Sequence, residues 1–427
     1  MHADLIARHR AVLPSWLALY YDEPIALTRG EGRHVWDAEG TRYLDFFGGI
    51  LTTLTAHGLP EVVEAVQWQA ERILHTSTLY LIESQIELAE QIAALVPIAD
   101  AKVFFTTSGT EANEAALLLA CTARRSNQIL ALRNSYHGRS FAAMAITGNR
   151  GWSASSLSPV QTSYVQGAYR YRSPWRHLPD ADYIAAGVAD LIDVLDTTTA
   201  GDVACMIAEP IQGVGGFAHP PDGFYGALSE VLAERGILFI SDEVQTGWGR
   251  TGGHFWGFEA HGVRADMITF AKGLGNGLSL AGVVAPAELM DGLPANSIST
   301  FGGNPLATAA GLANLRYLLA NELQKNAHQM GQQLHRFVGE RLDGVPLVAD
   351  IRGKGLMLGV EFAAEDRTPD AGAASQALER CRAHGLLVGK GGLYGNVLRV
   401  APPLTVTSDE IAAGAEALTR AVRETVT

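Results

Sequence analysis

Two short apolar segments, each running into a polar residue and a glycine-rich loop, constrain this chain more than any other feature. The first, residues 237–240, leads to Asp242, and the second, residues 266–270, leads to Lys272. Runs of this length are typical of buried parallel strands, which carry polar residues to an active-site edge of a sheet. Because strand and helix patterns alternate through the middle of the chain, we predict an α/β domain with a mostly parallel sheet.

Asp242 and Lys272 each have an ordinary interpretation when considered alone. A lysine at a strand end is usually solvated, and an aspartate there usually caps a helix or forms a turn. A buried lysine, however, loses its proton more readily and becomes nucleophilic. Pyridoxal phosphate (PLP) needs a lysine that condenses with its aldehyde and an acid that keeps its ring nitrogen protonated. The two residues together therefore favour a PLP enzyme.

The composition describes a globular protein and restricts its partners. With 427 residues, 47% of them hydrophobic, the chain is long enough for a large domain and a smaller one. The net charge of −13 argues against nucleic acid and anionic membranes as partners. The N-terminal residues show no targeting pattern, and no apolar run approaches the roughly 18 residues of a membrane span, so we expect a cytoplasmic location. Three scattered cysteines indicate neither a disulfide framework nor a metal site.

A helix start follows a further apolar run at residues 102–107. Ser108 and Glu111 have the spacing of a capping box, which predicts that a helix begins here. The free N–H groups of such a helix end bind phosphate well, especially where Gly109 lets the backbone approach and Thr110 adds a hydroxyl. An ordinary capped helix would show the same pattern. By contrast, residues 151–182 lack clear periodicity and predict a long loop across the cleft.

The sequence is similar to that of class III PLP-dependent aminotransferases of fold type I. The segments that carry this resemblance follow the family's order along nearly the whole chain: 108–113, 136–139, 209–213, 242–252, 271–277, 300–305, 352–356 and 398–404. The resemblance implies a large domain with a mostly parallel seven-stranded sheet flanked by helices, plus a smaller α+β domain. We place the large domain at 56–315 and the small domain at 316–427. The N-terminal segment, 1–55, is predicted to join the small domain. Within the class, the chain looks most like the alanine–glyoxylate aminotransferase 2 and 4-aminobutyrate aminotransferase branch.

The resemblance also assigns the residues that bind the cofactor. Lys272 would bond to PLP and move protons, and Asp242 would pair with the ring nitrogen. Tyr136 and Val244 would pack on opposite faces of the ring, and Gln245 would bind its phenolic oxygen. The remaining predicted cofactor residues are Ser108, Gly109, Thr110, His137, Glu209 and Thr300. Thr300 would reach the phosphate in the partner subunit, which implies a homodimer with shared active sites.

Three residues are predicted to bind the substrate. Arg399 resembles the arginine that holds the α-carboxylate in a two-point fork. Ile50 ends a segment, 41–50, that resembles the family's substrate-lining strand and loop. Arg139 resembles an arginine that holds a distal carboxylate in some relatives, and the alternative is a solvated arginine. Relatives that also take ω-amines carry a glutamate at the position of Val214, where it covers the arginine; valine cannot, so we predict substrates with an α-carboxylate.

These residues predict a ping-pong aminotransferase that moves an amino group from an α- or ω-amino acid to a 2-oxo acid such as pyruvate, glyoxylate or 2-oxoglutarate. Class III enzymes of other reaction types (aminomutase, decarboxylase or phospho-lyase) share every cofactor residue and stay open as alternatives. Gln245 argues against an aminomutase, because that branch usually has methionine there. The intact Lys272 and Asp242 argue against a non-catalytic binding protein.

Overall fold

The computed structural model describes residues 2–426. Its helices are α1 (His2–Val12), α2 (Gly48–Leu51), α3 (Pro60–Ala70), α4 (Glu83–Leu95), α5 (Gly109–Arg124), α6 (Phe141–Ala145), α7 (Asp180–Thr198), α8 (Phe224–Glu234), α9 (Ala287–Met290), α10 (Pro305–Ala320), α11 (Leu323–Leu342), α12 (Ala371–Ala383) and α13 (Ser408–Val426). Within residues 2–426, none of these helices has both the length and the apolar character needed to cross a membrane.

The strands fall into three sheets. They are β1 (Leu27–Glu31), β2 (His34–Asp37), β3 (Arg42–Asp45), β4 (Ala101–Thr106), β5 (Gln128–Leu132), β6 (Gln161–Val165), β7 (Cys205–Ala208), β8 (Leu238–Asp242), β9 (Met267–Phe270), β10 (Ala281–Pro286), β11 (Val348–Lys354), β12 (Met357–Phe362), β13 (Leu386–Leu387), β14 (Gly389–Gly391) and β15 (Val397–Val400).

The large sheet has seven strands in the order β4-β10-β9-β8-β7-β5-β6. Its strands run parallel except for β10, which is antiparallel to both of its neighbours. Strands β5, β7 and β9 are buried along their whole length, as expected for central strands covered on both faces. The predicted mostly parallel seven-stranded sheet is therefore confirmed, and β8 and β9 are neighbours, so Asp242 and Lys272 emerge at the same edge.

The prediction of one long loop over residues 151–182 was wrong. Residues Gln161–Val165 form β6, the edge strand of the large sheet, and pair in parallel with β5. The strand is polar and partly exposed, so its sequence lacks the apolar run that marked the central strands. Helix α7 begins at Asp180, just before the predicted loop ends.

Two four-stranded sheets complete the fold. One is antiparallel, with the order β11-β12-β15-β14, and lies entirely in the C-terminal third of the chain. The other has the order β1-β2-β3-β13, in which Leu44 of β3 pairs in parallel with Leu386. The N-terminal and C-terminal parts of the chain thus share a sheet. The domain limits given above stay predictions, and α10 runs continuously across the predicted limit at 315.

A single buried apolar cluster connects the large sheet to the C-terminal sheet. Leu130 and Phe270 from the large sheet belong to it, and so do Leu358 of β12 and Leu418 of α13. Because a close-packed interior has low compressibility, this continuous core holds the sheet edge that carries Asp242 and Lys272 in a fixed position relative to β15.

Candidate active site

A cavity of about 360 Å³ lies at the edge of the large sheet where β8 and β9 end. Lys272 and Asp242 both line it, as the two strand ends predict. All predicted cofactor residues except Thr300 line this same cavity: Ser108, Gly109, Thr110, Tyr136, His137, Glu209, Asp242, Val244, Gln245 and Lys272. Segments far apart in the sequence are therefore brought to one place by the fold.

The carboxylate of Asp242 is buried and held by three donors. Its Oδ2 accepts hydrogen bonds from Asn113 Nδ2 and from His137 Nδ1, both at 2.8 Å, and its Oδ1 accepts from Val244 N at 3.1 Å. Asn113 is itself fixed, because its Oδ1 accepts from Thr269 Oγ1 at 2.7 Å. These bonds hold the carboxylate in a fixed orientation, which suits a partner for a protonated ring nitrogen.

Lys272 lies in a low-polarity environment with a strained backbone. Burial and, to a smaller extent, the positive charge of Arg399 lower the pKa of its amine to about 8, while Asp242 and Glu209 oppose the shift. Its φ of 44° lies in the left-handed region, where a non-glycine residue costs about 1–3 kcal/mol. The buried Asn314 holds the turn that follows, donating to the carbonyl oxygens of Gly273 and Leu274 at 3.0 and 2.9 Å.

Helix α5 points its N-terminus at the cavity. Ser108 caps it, accepting a hydrogen bond from Glu111 N at 3.2 Å. In a standard capping box the Glu111 side chain would accept a hydrogen bond from Ser108 N. Here Glu111 Oε2 instead accepts from Thr107 N, one residue earlier, at 2.8 Å. A side chain at Gly109 would meet Val244 at 3.0 Å, so glycine permits the close approach. The free N–H groups of this helix end, with the Thr110 hydroxyl nearby, fit a phosphate.

Arg399 is a buried cation near the cavity. It is 4% exposed, and its Nη1 and Nη2 donate to the carbonyl oxygens of Gly213 and Lys390 at 3.2 and 3.1 Å. Among residues 2–426, no carboxylate lies within ion-pair distance of it, and its Nε has no hydrogen-bond partner. Burial lowers its pKa, which Tyr20 and the more distant Glu209 partly oppose. The guanidinium thus keeps hydrogen-bonding capacity for a ligand.

Comparison with known proteins agrees with this geometry. The family model described as "Aminotransferase class-III" matches residues 19–422. This chain belongs to the class III aminotransferase family. Alanine–glyoxylate aminotransferase 2 homolog 2, mitochondrial, of Arabidopsis thaliana is 39% identical over 96% of this chain and 85% of its own length. An (S)-enantioselective omega-transaminase from Thermomicrobium roseum is 33% identical, with a TM-score of 0.92, over 100% of this chain and 99% of that one.

A third relative shows a different activity. The alanine/serine racemase of Pyrococcus horikoshii is 32% identical over 99% of this chain and 91% of its own length. The match to the family and to two named aminotransferases shows that this chain is a PLP-dependent aminotransferase and confirms the predicted branch. The expected reaction class and cofactor are thereby confirmed.

The residues around the cavity fit PLP. Among the described residues, the buried Oε1 of Gln245 has no hydrogen-bond partner, so it is free to accept one from a ring hydroxyl. Glu209 Oε1 and Oε2 accept from Tyr136 N and Gly213 N at 2.8 and 2.9 Å, which holds the segments on either side of the cavity. Burial raises the pKa of Glu209 to about 7. When bound here, PLP supplies an aldehyde that condenses with amines and a ring that withdraws electrons.

Besides Arg399, three further predicted residues lie outside the cavity lining. Thr300 is exposed in an open groove of about 960 Å³ that adjoins the cavity at Thr107 and Thr110 and also includes Phe301. Arg139 is exposed, with its guanidinium carbon 5.8 Å from the ring centre of Trp16. Ile50 is 43% exposed and has a φ of 67°. The roles assigned to these three residues stay predictions.

Asn113 is the functional residue that sequence reasoning did not single out. It lies one turn into α5, in a segment already tied to the cofactor by resemblance, and it orients Asp242 directly. His137 was assigned to cofactor binding without a role, and its Nδ1 bond to Asp242 supplies one. An asparagine on the buried side of a helix that starts at the cavity was the available signal.

Proposed function

We propose that the substrates are α-amino acids and 2-oxo acids, which Arg399 holds by their α-carboxylate in both half-reactions. The main support for this substrate class is the buried guanidinium of Arg399, which has no carboxylate within ion-pair distance among residues 2–426. A buried charge without a partner costs several kcal/mol, and a carboxylate on the substrate removes that cost. A substrate without a carboxylate leaves the cost in place.

Val214 supports the same substrate class. It is buried, and its carbonyl oxygen accepts a hydrogen bond from Gly392 N at 2.9 Å. A side chain at Gly391 would contact both Val214 O and Arg399 Nε, so the two residues are close neighbours of one glycine. Because valine carries no charge, it cannot take the place of the substrate's carboxylate when an amine without one enters.

Lys272 moves the proton in the proposed reaction. With a pKa of about 8, its Nζ is partly neutral near physiological pH and can take a proton from the substrate carbon that bears the amino group. The same nitrogen then returns a proton to complete the transfer. Asp242, oriented by Asn113 and His137, presents its carboxylate to the ring nitrogen of the bound cofactor.

The test is an amino-donor panel with pyruvate, glyoxylate and 2-oxoglutarate as acceptors, combined with chiral analysis of the recovered donor. We expect an amino acid to give the highest kcat/KM and the corresponding 2-oxo acid to accumulate. Carboxylate-free amines that outperform every amino acid would contradict the proposal. Inversion of the donor's configuration without a 2-oxo acid product would indicate the racemase activity that one relative's name describes.

Arg139 would select the acceptor if it holds a distal carboxylate. We propose that Arg139→Ala removes any preference for 2-oxoglutarate over pyruvate, because only 2-oxoglutarate presents a second carboxylate. Arg264→Ala, at another exposed arginine, is the matched control. If Arg139→Ala leaves the ratio of kcat/KM for 2-oxoglutarate to that for pyruvate unchanged, Arg139 is a solvated surface arginine without a role in acceptor choice.

We also propose a homodimer with shared active sites. Thr300 lies away from the cavity of its own subunit, and the nearby Ile298 and Phe301 are exposed apolar side chains, which supports a contact with a second copy. Mixing Lys272→Ala subunits with Thr300→Asp subunits should restore roughly a quarter of the activity, because half of the dimers are mixed and each has one intact site. No recovery in verified mixed dimers would contradict shared sites. The cytoplasmic location stays a prediction.

A further inference from the structure

Arg399 and Arg352 occupy the same row of the C-terminal sheet. Arg352 of β11 lies opposite Gly359 of β12, and Gly359 lies opposite Arg399 of β15. Residues directly opposite one another on antiparallel strands project from the same face. The two arginine side chains therefore lie on one face of the sheet, with only a glycine between them.

The turn formed by residues 213–216 fills the space above that glycine. Gly216 O accepts a hydrogen bond from Arg352 Nε at 3.0 Å, and Gly213 O accepts from Arg399 Nη1 at 3.2 Å. The turn closes on itself through Gly216 N, which donates to Gly213 O at 3.2 Å. A side chain at Gly359 would come within 2.7 Å of Gly216 O. One turn thus connects the two arginines.

The same turn also contacts the cofactor cavity. Gly213 N donates to Glu209 Oε2 at 2.9 Å, and the side chain of Gln245 packs so closely on Gly213 that a β-carbon there would lie 2.2 Å from it. A movement of the turn would therefore shift Gly213 O, the hydrogen-bond acceptor for Arg399, relative to Glu209 and Gln245.

Arg352 differs from Arg399 in that it makes ion pairs with two carboxylates. Its Nη1 donates to Glu361 Oε2 and to Asp350 Oδ2, both at 2.6 Å. Glu361 is completely buried, and its Oε1 also accepts from Arg172 Nε at 2.8 Å. Burial by itself would raise the pKa of Glu361, but Arg352, Tyr169 and Arg172 together outweigh it, and the pKa is lowered. Arg352 is thus a fixed anchor and has no charge left for a substrate.

We propose that Arg352 is a positioning residue for Arg399. Glu361 and Asp350 fix Arg352, which donates to Gly216 O and so holds the 213–216 turn in place. Gly213 O of the same turn then accepts from Arg399 and fixes its guanidinium. The guanidinium is then presented to the α-carboxylate in a fixed orientation, and Gly359 is the spacer that makes room for the turn. The substrate side of this inference rests on the proposed function of Arg399.

The test uses two variants that disturb the turn in different ways. Gly359→Ala places a methyl group against Gly216 O while leaving every ion pair intact. Arg352→Lys keeps a positive charge for Glu361 and Asp350 but loses the fork that also reaches Gly216 O. Gly339→Ala is the matched control, because a β-carbon there meets no atom within 4 Å.

We expect KM for the preferred amino acid to rise about 10- to 100-fold in both variants, since small misplacements of a binding group have effects of this size. Turnover of the amine analogue that lacks the carboxylate should fall far less than that of the amino acid, because the turn also contacts cofactor residues, and both substrates should be turned over normally by Gly339→Ala. Equal losses for amino acid and amine, or no loss for either, would overturn the positioning role.

A crystal structure of Gly359→Ala separates this inference from the proposed function. We expect the turn to shift and the 3.2 Å contact between Gly213 O and Arg399 Nη1 to be lost. An unmoved turn with that contact intact would overturn the inference whatever the kinetics show. If Arg399→Met leaves the preference for amino acids intact, the proposed function fails instead, and the structural result still decides the role of Arg352 in holding Arg399.

Discussion

The two ends of the active site are built in opposite ways. At the cofactor end, the carboxylate of Asp242 accepts hydrogen bonds from Asn113, His137 and the backbone, and it lies in the same cavity as the Lys272 amine. At the proposed substrate end, the hydrogen-bond partners of Arg399 among residues 2–426 are neutral carbonyl oxygens, and Phe47 lies 5.1 Å from its guanidinium carbon. The first end is electrostatically complete before substrate arrives, whereas the second needs a carboxylate to complete it.

Two arginines on the same row of strands show that this difference is local. Arg352 makes ion pairs with Glu361 and Asp350, whereas Arg399, on the same face of the sheet, makes none with the described residues. Because a buried, unpaired charge destabilises the fold, such a residue is more easily explained by binding than by stability. The lack of an ion pair within the described residues thus distinguishes Arg399, for which we propose substrate binding, from Arg352, for which we propose a positioning role.

The largest effect is expected at Lys272. Lys272→Ala removes the only amine in the cavity lining, so transamination should fall on the order of 10³-fold or more. The protein should still bind PLP through the helix end and Asp242, but without the visible absorbance of the lysine-bound form. Absorbance spectra and turnover measure the two effects, and Lys325→Ala, at an exposed lysine, is the control. Unchanged turnover in Lys272→Ala would refute its role.

Asp242→Asn should have the next largest effect. The substitution keeps the shape of the side chain but removes the negative charge that His137 and Asn113 orient, so kcat should fall on the order of 10²-fold. Steady-state kinetics at saturating PLP separate this loss from weaker cofactor binding. Asp291→Asn, at an exposed carboxylate, should behave like the wild type. A loss confined to PLP affinity, with kcat restored at saturation, would show that the charge is not used in the reaction.

Val214→Glu would make the substrate end resemble the cofactor end. A carboxylate beside Arg399 competes with that of the substrate, so KM for amino acids should rise about tenfold while carboxylate-free amines are used better. Kinetics with L-alanine and 2-aminopropane, which differ in the carboxylate, measure both changes. Val214→Gln supplies similar bulk without the charge. The same result in both variants would assign the effect to size alone.

The smallest effect concerns pH. Because the pKa of Lys272 is lowered to about 8 from 10.5, the rate at which PLP-free protein captures PLP should rise with pH and level off above about 8. Removing the charge of Arg399 should raise this pKa, so the profile of Arg399→Met should move to higher pH. Rapid-mixing absorbance measures both profiles. A wild-type rate that continues to rise toward pH 10 would show that Lys272 is an ordinary solvated lysine.

The sequence predicted most of the residues that meet at the cavity, but not the contacts that hold Arg399. Apolar runs that lead to Asp242 and Lys272 identify central strands, and the Ser108 cap identifies the helix start, since both signals are local. The row formed by Arg352, Gly359 and Arg399 depends on the register between three strands, which a single sequence does not specify. The edge strand β6 was also missed, because its polar residues lack a periodic pattern.

The most direct test of the account compares L-alanine with 2-aminopropane in the wild type and in Arg399→Met. The account predicts that the wild type prefers alanine and that the ratio of the two kcat/KM values falls on the order of 10²-fold in Arg399→Met, almost entirely through alanine. The melting temperature should not fall, because the substitution removes a buried charge that has no ion-pair partner in the described chain. A ratio that is the same in both proteins would contradict the account.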